Sequence, residues 1–359
     1  MNAVILAGGK GTRLRPLTLN TPKPIVPILT RPFLALQIEL LKKTGIDNIV
    51  LSLSYQPRRI EELFGDGSSL GVKIHYTMEP EPLGTAGAVK NAEALIAGRT
   101  VVFNGDVLSD LDLGAVLKQH EETGAKATIV LTPVENPTAY GLVETEDDGR
   151  VRQFLEKPSY DEITCNTINA GVYILERETL DRIPEGKSYS FERGFFPSLL
   201  KDNIPFYAYV HRGYWIDIGT PEKYLRVHRD ILSRALPFEG FSPNAGGTYV
   251  DPTATVESGA KIQGPGYIGE GALVKAGAHL EPFAVVGPNC RIESGAVVGN
   301  SVLWSNVRIG TEARVRGALI GRSAHIGHRS ILEGGVVLGD KSVLTDYSRV
   351  TALELDSDG

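Results

Sequence analysis

The opening segment of the chain, 6–24 (LAGGKGTRLRPLTLNTPKP), concentrates residues that could bind phosphate. Three glycines follow directly on a short apolar run: Gly8, Gly9 and Gly11. Without a Cβ atom, a glycine lets the backbone turn sharply and direct successive N–H groups at phosphate oxygens. Arg13 and Lys23 add positive charge. The first 38 residues contain five basic side chains and no acidic one, although the whole chain has a net charge of -6. The segment therefore predicts a site for a small, highly charged anion.

The two common phosphate-binding fingerprints do not fit this segment. The dinucleotide pattern G-x-G-x-x-G requires a glycine where Leu14 stands. The P-loop pattern requires serine or threonine after its lysine, whereas Lys10 is followed by Gly11. Pro16 occupies the position where a phosphate-capping helix would begin. We expect Lys23, which has a proline on each side, to lie on a stiff extended stretch.

The first two thirds of the chain alternate short apolar runs with helical patterns. A helix is predicted over 32–44, because Pro32 suits a first helical turn and Gly45 would end the helix. Strand, helix and strand in this order predict a Rossmann-like α/β domain with a mostly parallel sheet. Such sheets bind ligands at the carboxyl ends of their strands. The apolar runs typical of strands are 3–7, 49–53, 100–103, 127–131 and 171–175.

A different pattern begins at Val250. Large apolar residues, with Trp304 among them, recur as far as Val350, and fifteen of the seventeen steps equal six residues. One flat face per hexapeptide and three faces per coil predict about six coils of a parallel β-helix. Such coils wind left-handed in the hexapeptide proteins that this pattern resembles. The predicted parts of the chain are an α/β domain, a Pro- and Gly-rich linker, the β-helix and a tail: 1–235, 236–248, 249–350 and 351–359.

Composition limits the class of protein. A hydrophobic content of 42% and a charged content of 22% are ordinary for a soluble globular chain. No apolar run approaches the roughly 20 residues that span a bilayer. Cys165 and Cys290 lie far apart, which excludes a disulfide scaffold and favours a reducing cytoplasm. A net acidic chain without a basic stripe argues against a nucleic acid as partner. We likewise expect no membrane partner.

The segment 6–24 resembles the signature of the nucleotide-sugar pyrophosphorylases, which are sugar-1-phosphate nucleotidyltransferases. The resemblance covers almost the whole chain. The order of domains is most similar to the mannose-1-phosphate guanylyltransferases, and Lys23 between two prolines also matches them. Glucose-1-phosphate thymidylyl- and uridylyltransferases are relatives. Further motifs follow in the family's order: EPLGTAGA (81–88), NGD (104–106), YGLV (140–143), EKP (156–158), NAGVYIL (169–175) and WIDIG (215–219).

The resemblance implies attack of a sugar-1-phosphate oxygen on the α-phosphorus of a nucleoside triphosphate, with pyrophosphate leaving in line. Because two polyanions must meet, catalysis would be mainly electrostatic. Arg13 would clamp the leaving phosphates, and Lys23 would stabilise charge around the α-phosphate. The residues expected to bind the nucleotide are Leu6, Ala7, Gly8, Gly9, Gly11, Thr12, Glu79, Gly84 and Asn104.

Two aspartates are the candidate metal ligands. Asp106 ends the apolar run TVVFNGD, and a carboxylate at the end of a strand beside a glycine suits a hard cation. Asp217 in WIDIG would be the second ligand. One or two Mg²⁺ ions would screen the phosphates and orient the attack. Asp110 and Asp112 fit helix capping better, because a helical pattern begins after them.

A second group of residues is assigned to the sugar phosphate. The resemblance assigns Glu156 to the sugar hydroxyls and Lys157, as a catalytic cation, to the sugar phosphate. We expect strand alternation to send these two neighbours to opposite faces. Gly141 and Asn169 would complete the sugar site, and Arg193 is a further candidate for the phosphate.

The base is expected to contact the segment 76–88. Guanine presents two neighbouring donors, which one carboxylate can accept, whereas uracil and thymine suit an amide better. The segment contains Glu79 and Glu81 but no glutamine or asparagine, which favours GTP. Backbone groups around Leu83 and Gly84 are the alternative means of recognition.

Other functions stay open at this point. The chain could be a non-catalytic regulatory subunit, although its complete set of candidate residues argues against that. It could be a hexapeptide acyltransferase using His325 or His328, but no inserted loop is present to form an acyl-donor pocket. We expect the β-helix to serve assembly into a homo-oligomer or regulation. Its ends expose unpaired sheet edges that the tail or another subunit would cap.

Overall fold

The computed structural model describes residues 1–79 and 81–352, so most of the predicted tail lies outside the described residues. No helix in these two ranges is long and apolar enough to cross a membrane.

The residues pack into two compact units. The first contains 1–10 and 34–217, and the second contains 11–33 and the described residues from Ile218 onward. The second unit is discontinuous in sequence because 11–33 packs with the C-terminal part of the chain. The domain limits inferred from the sequence stay a prediction about which parts fold independently.

Thirteen strands are described before the repeats, together with six α-helices. The strands are β1 (Asn2–Leu6), β2 (Pro27–Ile28), β3 (Arg31–Pro32), β4 (Asn48–Leu53), β5 (Lys73–Met78), β6 (Thr100–Asn104), β7 (Val107–Ser109), β8 (Ala127–Pro133), β9 (Gly141–Thr145), β10 (Val151–Glu156), β11 (Thr167–Leu175), β12 (Phe206–Val210) and β13 (Trp215–Asp217). The helices are α1 (Phe33–Lys43), α2 (Pro57–Phe64), α3 (Gly84–Asn91), α4 (Leu113–Glu122), α5 (Phe196–Lys201) and α6 (Pro221–Leu232).

The first unit is built around one mixed sheet with the strand order β10-β9-β11-β6-β1-β4-β5, to which β8 and β12 add beside β11. Strands β6, β1, β4 and β5 are parallel, and β11 is antiparallel to β6. Val4, Val50 and Val102 on the central strands are fully buried, as expected where helices cover both faces of a parallel sheet. The predicted α/β fold is therefore confirmed. The carboxyl ends of β1 and β6 meet at one edge, since Leu6 is paired with Asn104.

Helix α1 lies close to its predicted position. It begins at Phe33, because Pro32 is held in the short ladder of β2 with β3, opposite Pro27. The prediction that Pro32 lies in the first helical turn was therefore wrong. Gly45, with a φ of 75°, follows the helix end as predicted.

The aspartates before α4 behave as the sequence suggested, with one difference. Asp112 caps the helix, since its Oδ1 accepts a hydrogen bond from the Ala115 N–H at 3.0 Å. Asp110 makes no cap and instead pairs with His211, with 3.0 Å between Oδ1 and Nε2.

The second unit contains three parallel sheets of six strands each, which amounts to six coils of the predicted left-handed β-helix. The interior is a stack of aliphatic side chains, as in the register Ile268, Val286, Leu303 and Ile320. The strands are β14 (Thr248–Val250), β15 (Thr255–Val256), β16 (Lys261–Ile262), β17 (Gly266–Ile268), β18 (Leu273–Val274), β19 (His279–Leu280), β20 (Val285–Val286), β21 (Arg291–Ile292), β22 (Val297–Gly299), β23 (Val302–Leu303), β24 (Arg308–Ile309), β25 (Arg314–Arg316), β26 (Leu319–Ile320), β27 (His325–Ile326), β28 (Ile331–Glu333), β29 (Val337–Leu338), β30 (Val343–Leu344) and β31 (Arg349–Thr351).

Trp304 departs from the predicted repeat. The inward residue of its coil is Leu303, which is in register with Val286 and Ile320. Trp304 is buried but contacts helix α6, where its Nε1 lies 3.1 Å from the Tyr224 hydroxyl oxygen. The prediction that Trp304 belongs to the interior series was therefore wrong, because the interior takes an aliphatic side chain there and the larger indole packs outside.

One outer face of the β-helix is apolar. The residue before each inward residue points the other way in a strand. In the sheet that begins with β14, these outward residues include Tyr267, Val285, Val302 and Leu319, and all four are buried. Helix α6 and the segment 11–33 belong to the same compact unit and cover this face.

Candidate functional site

The carboxyl end of β1 and the turn after β6 touch through their backbones. The Gly105 N–H donates to the Leu6 carbonyl oxygen at 3.0 Å, and the Ala7 N–H donates to the Ser52 carbonyl oxygen at 2.9 Å. A Cβ on Gly105 would lie 2.5 Å from the Leu6 oxygen, so only glycine permits this approach. The contact places Asn104 and Asp106, on either side of Gly105, beside the start of the glycine-rich loop.

The Glu79 carboxylate lies next to Gly8 and accepts two hydrogen bonds. Its Oε1 accepts from the Ser52 hydroxyl and its Oε2 from the Leu83 N–H, each at 3.0 Å. A Cβ on Gly8 would lie 2.8 Å from the Ser54 Oγ and 3.3 Å from the Glu79 Oε1. Glu79 therefore links the end of β5 to the residue before helix α3, at whose N-terminus Gly84 lies.

Glu81 differs from Glu79 in its surroundings, because its side chain is exposed. Gly84 has a φ of 70°, and a Cβ there would lie 2.8 Å from the Tyr189 carbonyl oxygen. The backbone at the start of α3 is thus held against the chain at Tyr189, and larger residues would not fit.

Of the two candidate metal ligands, Asp106 lies in the turn before β7 and Asp217 is the last residue of β13. β13 is antiparallel to β7 and pairs Asp217 with Val107, the residue that follows Asp106. Both aspartates are partly buried, and the Tyr140 hydroxyl donates to the Asp217 Oδ1 at 3.3 Å. Trp215 packs edge-on against Tyr140, with 5.7 Å between ring centroids.

Carboxylates suit Mg²⁺, which often binds through one or two of them while water and phosphate complete its octahedron. No group of three or more His, Cys, Asp or Glu residues suited to a metal occurs within 1–79 and 81–352. That Asp106 and Asp217 hold Mg²⁺ stays a prediction.

Gln37 supports the turn that carries Asp106. It lies on α1, is buried, and donates from its Nε2 to the carbonyl oxygens of Asn104 and Val107, both at 2.9 Å. Sequence reasoning missed this residue. Its signal was a lone amide on the apolar side of a predicted helix, where a buried polar group needs partners.

Asn104 and Asn169 lie in one polar cluster around buried Tyr173. The Asn169 Nδ2 donates to the Tyr173 hydroxyl and its Oδ1 accepts from the Gly171 N–H, each at 2.9 Å. A Cβ on Gly171 would lie 2.8 Å from the Asn104 Nδ2. The Asn104 Oδ1 is buried without a hydrogen-bond partner among the described residues. Burial of an acceptor without a partner costs free energy, so the Asn104 Oδ1 would suit a ligand that provides a hydrogen-bond donor.

Glu156 and Gly141 are opposite one another in the ladder of β10 with β9. A Cβ on Gly141 would lie 3.0 Å from the Glu156 Oε2, so glycine leaves room beside this carboxylate. β10 ends at Glu156, and Lys157 adopts a φ of 51° with its N–H donating to the Tyr140 carbonyl oxygen at 3.0 Å. The prediction that strand alternation separates Glu156 from Lys157 was wrong, because Lys157 lies in a turn.

The pKa of Glu156 depends on a second carboxylate, Glu192, which the sequence analysis missed. Burial raises the pKa of Glu156, and the nearby Glu192 raises it further, whereas Lys157 and Arg193 lower it. The Glu192 Oε2 accepts from the Thr85 and Ser190 hydroxyls at 3.0 and 2.6 Å. Glu192 stood beside Arg193 in the sequence, but only the fold brings its charge to Glu156.

In the second unit, Gly11 and Lys23 are close neighbours. Gly11 has a φ of 60°, and a Cβ there would lie 2.9 Å from the Lys23 Cβ. The Thr18 hydroxyl donates to the Gly11 carbonyl oxygen at 2.7 Å, which holds the loop closed. Thr12 and Arg13 are exposed and form the start of a short 3₁₀-helix.

Lys23 is only 7% exposed and is the first residue of the 3₁₀-helix Lys23–Ile25. The predicted extended stretch was therefore wrong, because Pro24 has a φ suited to a helical turn. Pro22 and Val26, which flank this short helix, each have a ψ of 139°.

His325 and His328, the candidate acyltransferase residues, lie on the outside of the β-helix. His325 is the outward residue of β27, and His328 packs edge-on against Tyr347 at 5.3 Å between ring centroids.

Comparisons with known proteins match both parts of the chain. Residues 2–234 match the family model described as Nucleotidyl transferase, and residues 245–350 match the one described as EIF2B subunit epsilon LbH domain. The mannose-1-phosphate guanylyltransferase of Mycobacterium tuberculosis is 42% identical over 274 residues, which are 76% of each chain. The UTP–glucose-1-phosphate uridylyltransferase of Synechocystis sp. is 37% identical over 355 residues, covering 89% of this chain and 87% of the relative.

Among solved structures, HddC from Yersinia pseudotuberculosis complexed with GMP-PN is 36% identical. Its superposition has a TM-score of 0.54 and covers 63% of this chain and 97% of HddC.

Proposed function

This chain belongs to the nucleotidyl transferase family, and on that premise we propose that it transfers guanylyl from GTP to mannose 1-phosphate, giving GDP-mannose and pyrophosphate. The coarser activity is that of a sugar-1-phosphate nucleotidyltransferase. The choice of GTP and mannose rests on the relative of 42% identity that is named a mannose-1-phosphate guanylyltransferase. The GMP-PN complex of HddC supports a guanine nucleotide.

In the proposed reaction, an oxygen of the sugar phosphate forms a bond to the α-phosphorus while the bond to the β-phosphate oxygen breaks. The attacking oxygen is already anionic, so no enzyme nucleophile is needed. Asp106 and Asp217 would hold Mg²⁺, which would neutralise phosphate charge. The remaining contribution of the protein is to hold both phosphates in line and to stabilise the charge that moves to pyrophosphate.

Basic residues of 11–33 would bind the triphosphate. Lys23 is nearly buried, and an ammonium group away from bulk water interacts more strongly with a phosphate than an exposed one does. Arg13 is exposed and can follow the leaving pyrophosphate. Backbone N–H groups from Gly8 to Thr12 would cradle the phosphate oxygens.

Around the nucleoside, Asn104 would accept a hydrogen bond through its unpaired Oδ1. Glu79 has both oxygens engaged with Ser52 and Leu83. We therefore infer that it influences the base mainly by placing the backbone at Leu83 and Gly84.

Around the sugar, the partly buried Glu156 would accept hydroxyl donors, and Gly141 would leave the space for them. Asn169 keeps a second lone pair on Oδ1 for a sugar hydroxyl. Lys157 and Arg193, both exposed, would bind the sugar phosphate.

A second candidate is uridylyl transfer from UTP to glucose 1-phosphate. It is favoured by the Synechocystis relative, which is 37% identical over 89% of this chain. Both candidates predict the same chemistry and differ only in the base and the sugar.

The deciding experiment measures pyrophosphate release with each of GTP, UTP, dTTP and ATP, combined with mannose 1-phosphate and glucose 1-phosphate. We expect the highest kcat/KM for GTP with mannose 1-phosphate. A maximum for UTP with glucose 1-phosphate would select the second candidate. Absence of release with every pair, for a folded protein with Mg²⁺, would exclude both.

A further inference from the structure

We propose that the β-helix positions the segment 11–33, hereafter the basic arm, through a buried chain of hydrogen bonds from Trp304 through Tyr224 to Pro27. These hydrogen bonds would restrict the conformations that the basic arm can adopt. Its catalytic consequence rests on the proposed function, in which Arg13 and Lys23 of the arm bind phosphates.

The chain of hydrogen bonds has one possible direction. The Trp304 Nε1 can only donate and the Pro27 carbonyl oxygen can only accept, so the Tyr224 hydroxyl between them accepts from one and donates to the other. Tyr224 is 0% exposed and Trp304 is 2% exposed. Water cannot replace the hydroxyl here without repacking, and its loss would leave two buried polar groups unpaired.

A second anchor lies one turn further along α6. The His228 Nε2 accepts from the Leu29 N–H at 3.1 Å, and its Nδ1 donates to the Tyr224 carbonyl oxygen at 2.7 Å. Because a backbone N–H must donate, the proton of the neutral imidazole lies on Nδ1. Leu29 has a φ of 54°, which is unfavourable for leucine and is held by this contact.

Direct contacts with the coils hold the arm at two more points. The Thr30 hydroxyl lies 3.2 Å from the Tyr267 hydroxyl on the second coil. Pro16 lies against Gly339 on the last coil, where a Cβ would be 3.1 Å from the proline Cβ. The arm is therefore fixed on both sides of Lys23.

This arrangement gives the β-helix a role in addition to assembly. An arm that is already ordered when the nucleotide binds loses less conformational entropy on binding, which favours binding. Trp304 is the outward residue that departs from the predicted repeat, and it is the residue that reaches α6.

The test uses the full chain with Tyr224→Phe, which removes the hydroxyl and keeps the ring. We expect hydrogen exchange of peptides from 11–33 to become about threefold faster or more. The KM for the nucleoside triphosphate should rise about tenfold with a smaller change in kcat, the factor that one lost hydrogen bond of ordinary strength produces. Tyr249→Phe is the matched control, because its hydroxyl faces Asp251 on the β-helix and leaves both readouts unchanged.

Trp304→Phe is the second variant, and it also serves if Tyr224→Phe does not fold. It removes the indole N–H together with part of the buried ring, and it should change arm exchange in the same direction. Unchanged exchange of 11–33 in both variants would overturn the positioning role. Faster exchange with an unchanged KM for every triphosphate would leave the positioning role standing and remove the arm from phosphate binding.

Discussion

Acidification should weaken the fold through His228, and the size of the effect follows from its burial. Burial lowers the pKa of His228 from its ordinary 6.5 to about 4, and the side chain is 1% exposed. At about 1.4 kcal/mol per pKa unit, this lowering of the pKa corresponds to about 3 kcal/mol in the free energy of unfolding. The neutral ring accepts from the Leu29 N–H, and protonation of the Nε2 would abolish that bond.

The direction of the effect follows from proton binding. Between pH 6.5 and about 4 the unfolded chain binds a proton at His228 and the folded chain does not. The contribution of neutral His228 to the free energy of unfolding is therefore complete above pH 6.5. It decreases as the pH falls towards 4 and levels off below that pH.

The assay compares urea unfolding of the natural chain and of His228→Gln from pH 7 to pH 4. Glutamine offers an uncharged acceptor for Leu29, so other titrating groups cancel in the difference between the two proteins. We expect that difference in unfolding free energy to shift by about 2–3 kcal/mol in favour of the variant as the pH falls. A difference that stays constant across this range would refute the reasoning.

Four other outcomes are expected. Asp106→Asn should lower kcat by roughly two orders of magnitude or more, as for loss of a major electrostatic group; near-normal turnover at saturating Mg²⁺ would remove Asp106 from the site. Lys23→Ala should have a similar effect that extra Mg²⁺ does not rescue, measured by pyrophosphate release at rising Mg²⁺. Glu79→Gln should reduce the GTP-to-UTP ratio of kcat/KM by a factor of about 10 or more, because the charged hydrogen bond to Leu83 places the backbone that would contact the base; an unchanged ratio in Glu79→Gln and in Glu81→Gln would exclude selection of guanine by either glutamate. Truncation after residue 240 should leave a folded α/β sheet by circular dichroism but change the oligomer, and a monomeric full-length chain in light scattering would contradict assembly through the β-helix.

Much of the fold was accessible from local patterns. The first strand, the capping role of Asp112 and the number of coils follow from runs, caps and periods that span a few residues. These signals are local, so they survive without knowledge of the tertiary structure. The motif order placed Asp106 and Asp217 among the candidates, and the ladder of β7 with β13 brings them to neighbouring positions.

The errors and omissions came from contacts between distant parts of the sequence. Trp304 fitted the six-residue period as well as Leu303 did, and only packing against α6 distinguishes them. Glu192 acquires its effect on Glu156 through the fold. The short helix at Lys23 contradicts the simplest expectation for a residue between prolines, because the second proline favours a turn.

The position of each coil along the axis of the β-helix also determines which contact that coil makes. Neighbouring strands of a sheet are about 4.8 Å apart, and Trp304 lies on the fourth coil counted from β14. Deleting one complete coil before Trp304 would keep every interior stack intact, yet it would move the indole about 4.8 Å along the axis, away from Tyr224. A coil deleted between Trp304 and Gly339 would leave the indole in place and displace the Pro16 contact instead. Whole-coil insertions and deletions are therefore not equivalent along the β-helix, and their effect on the basic arm depends on which side of Trp304 they fall.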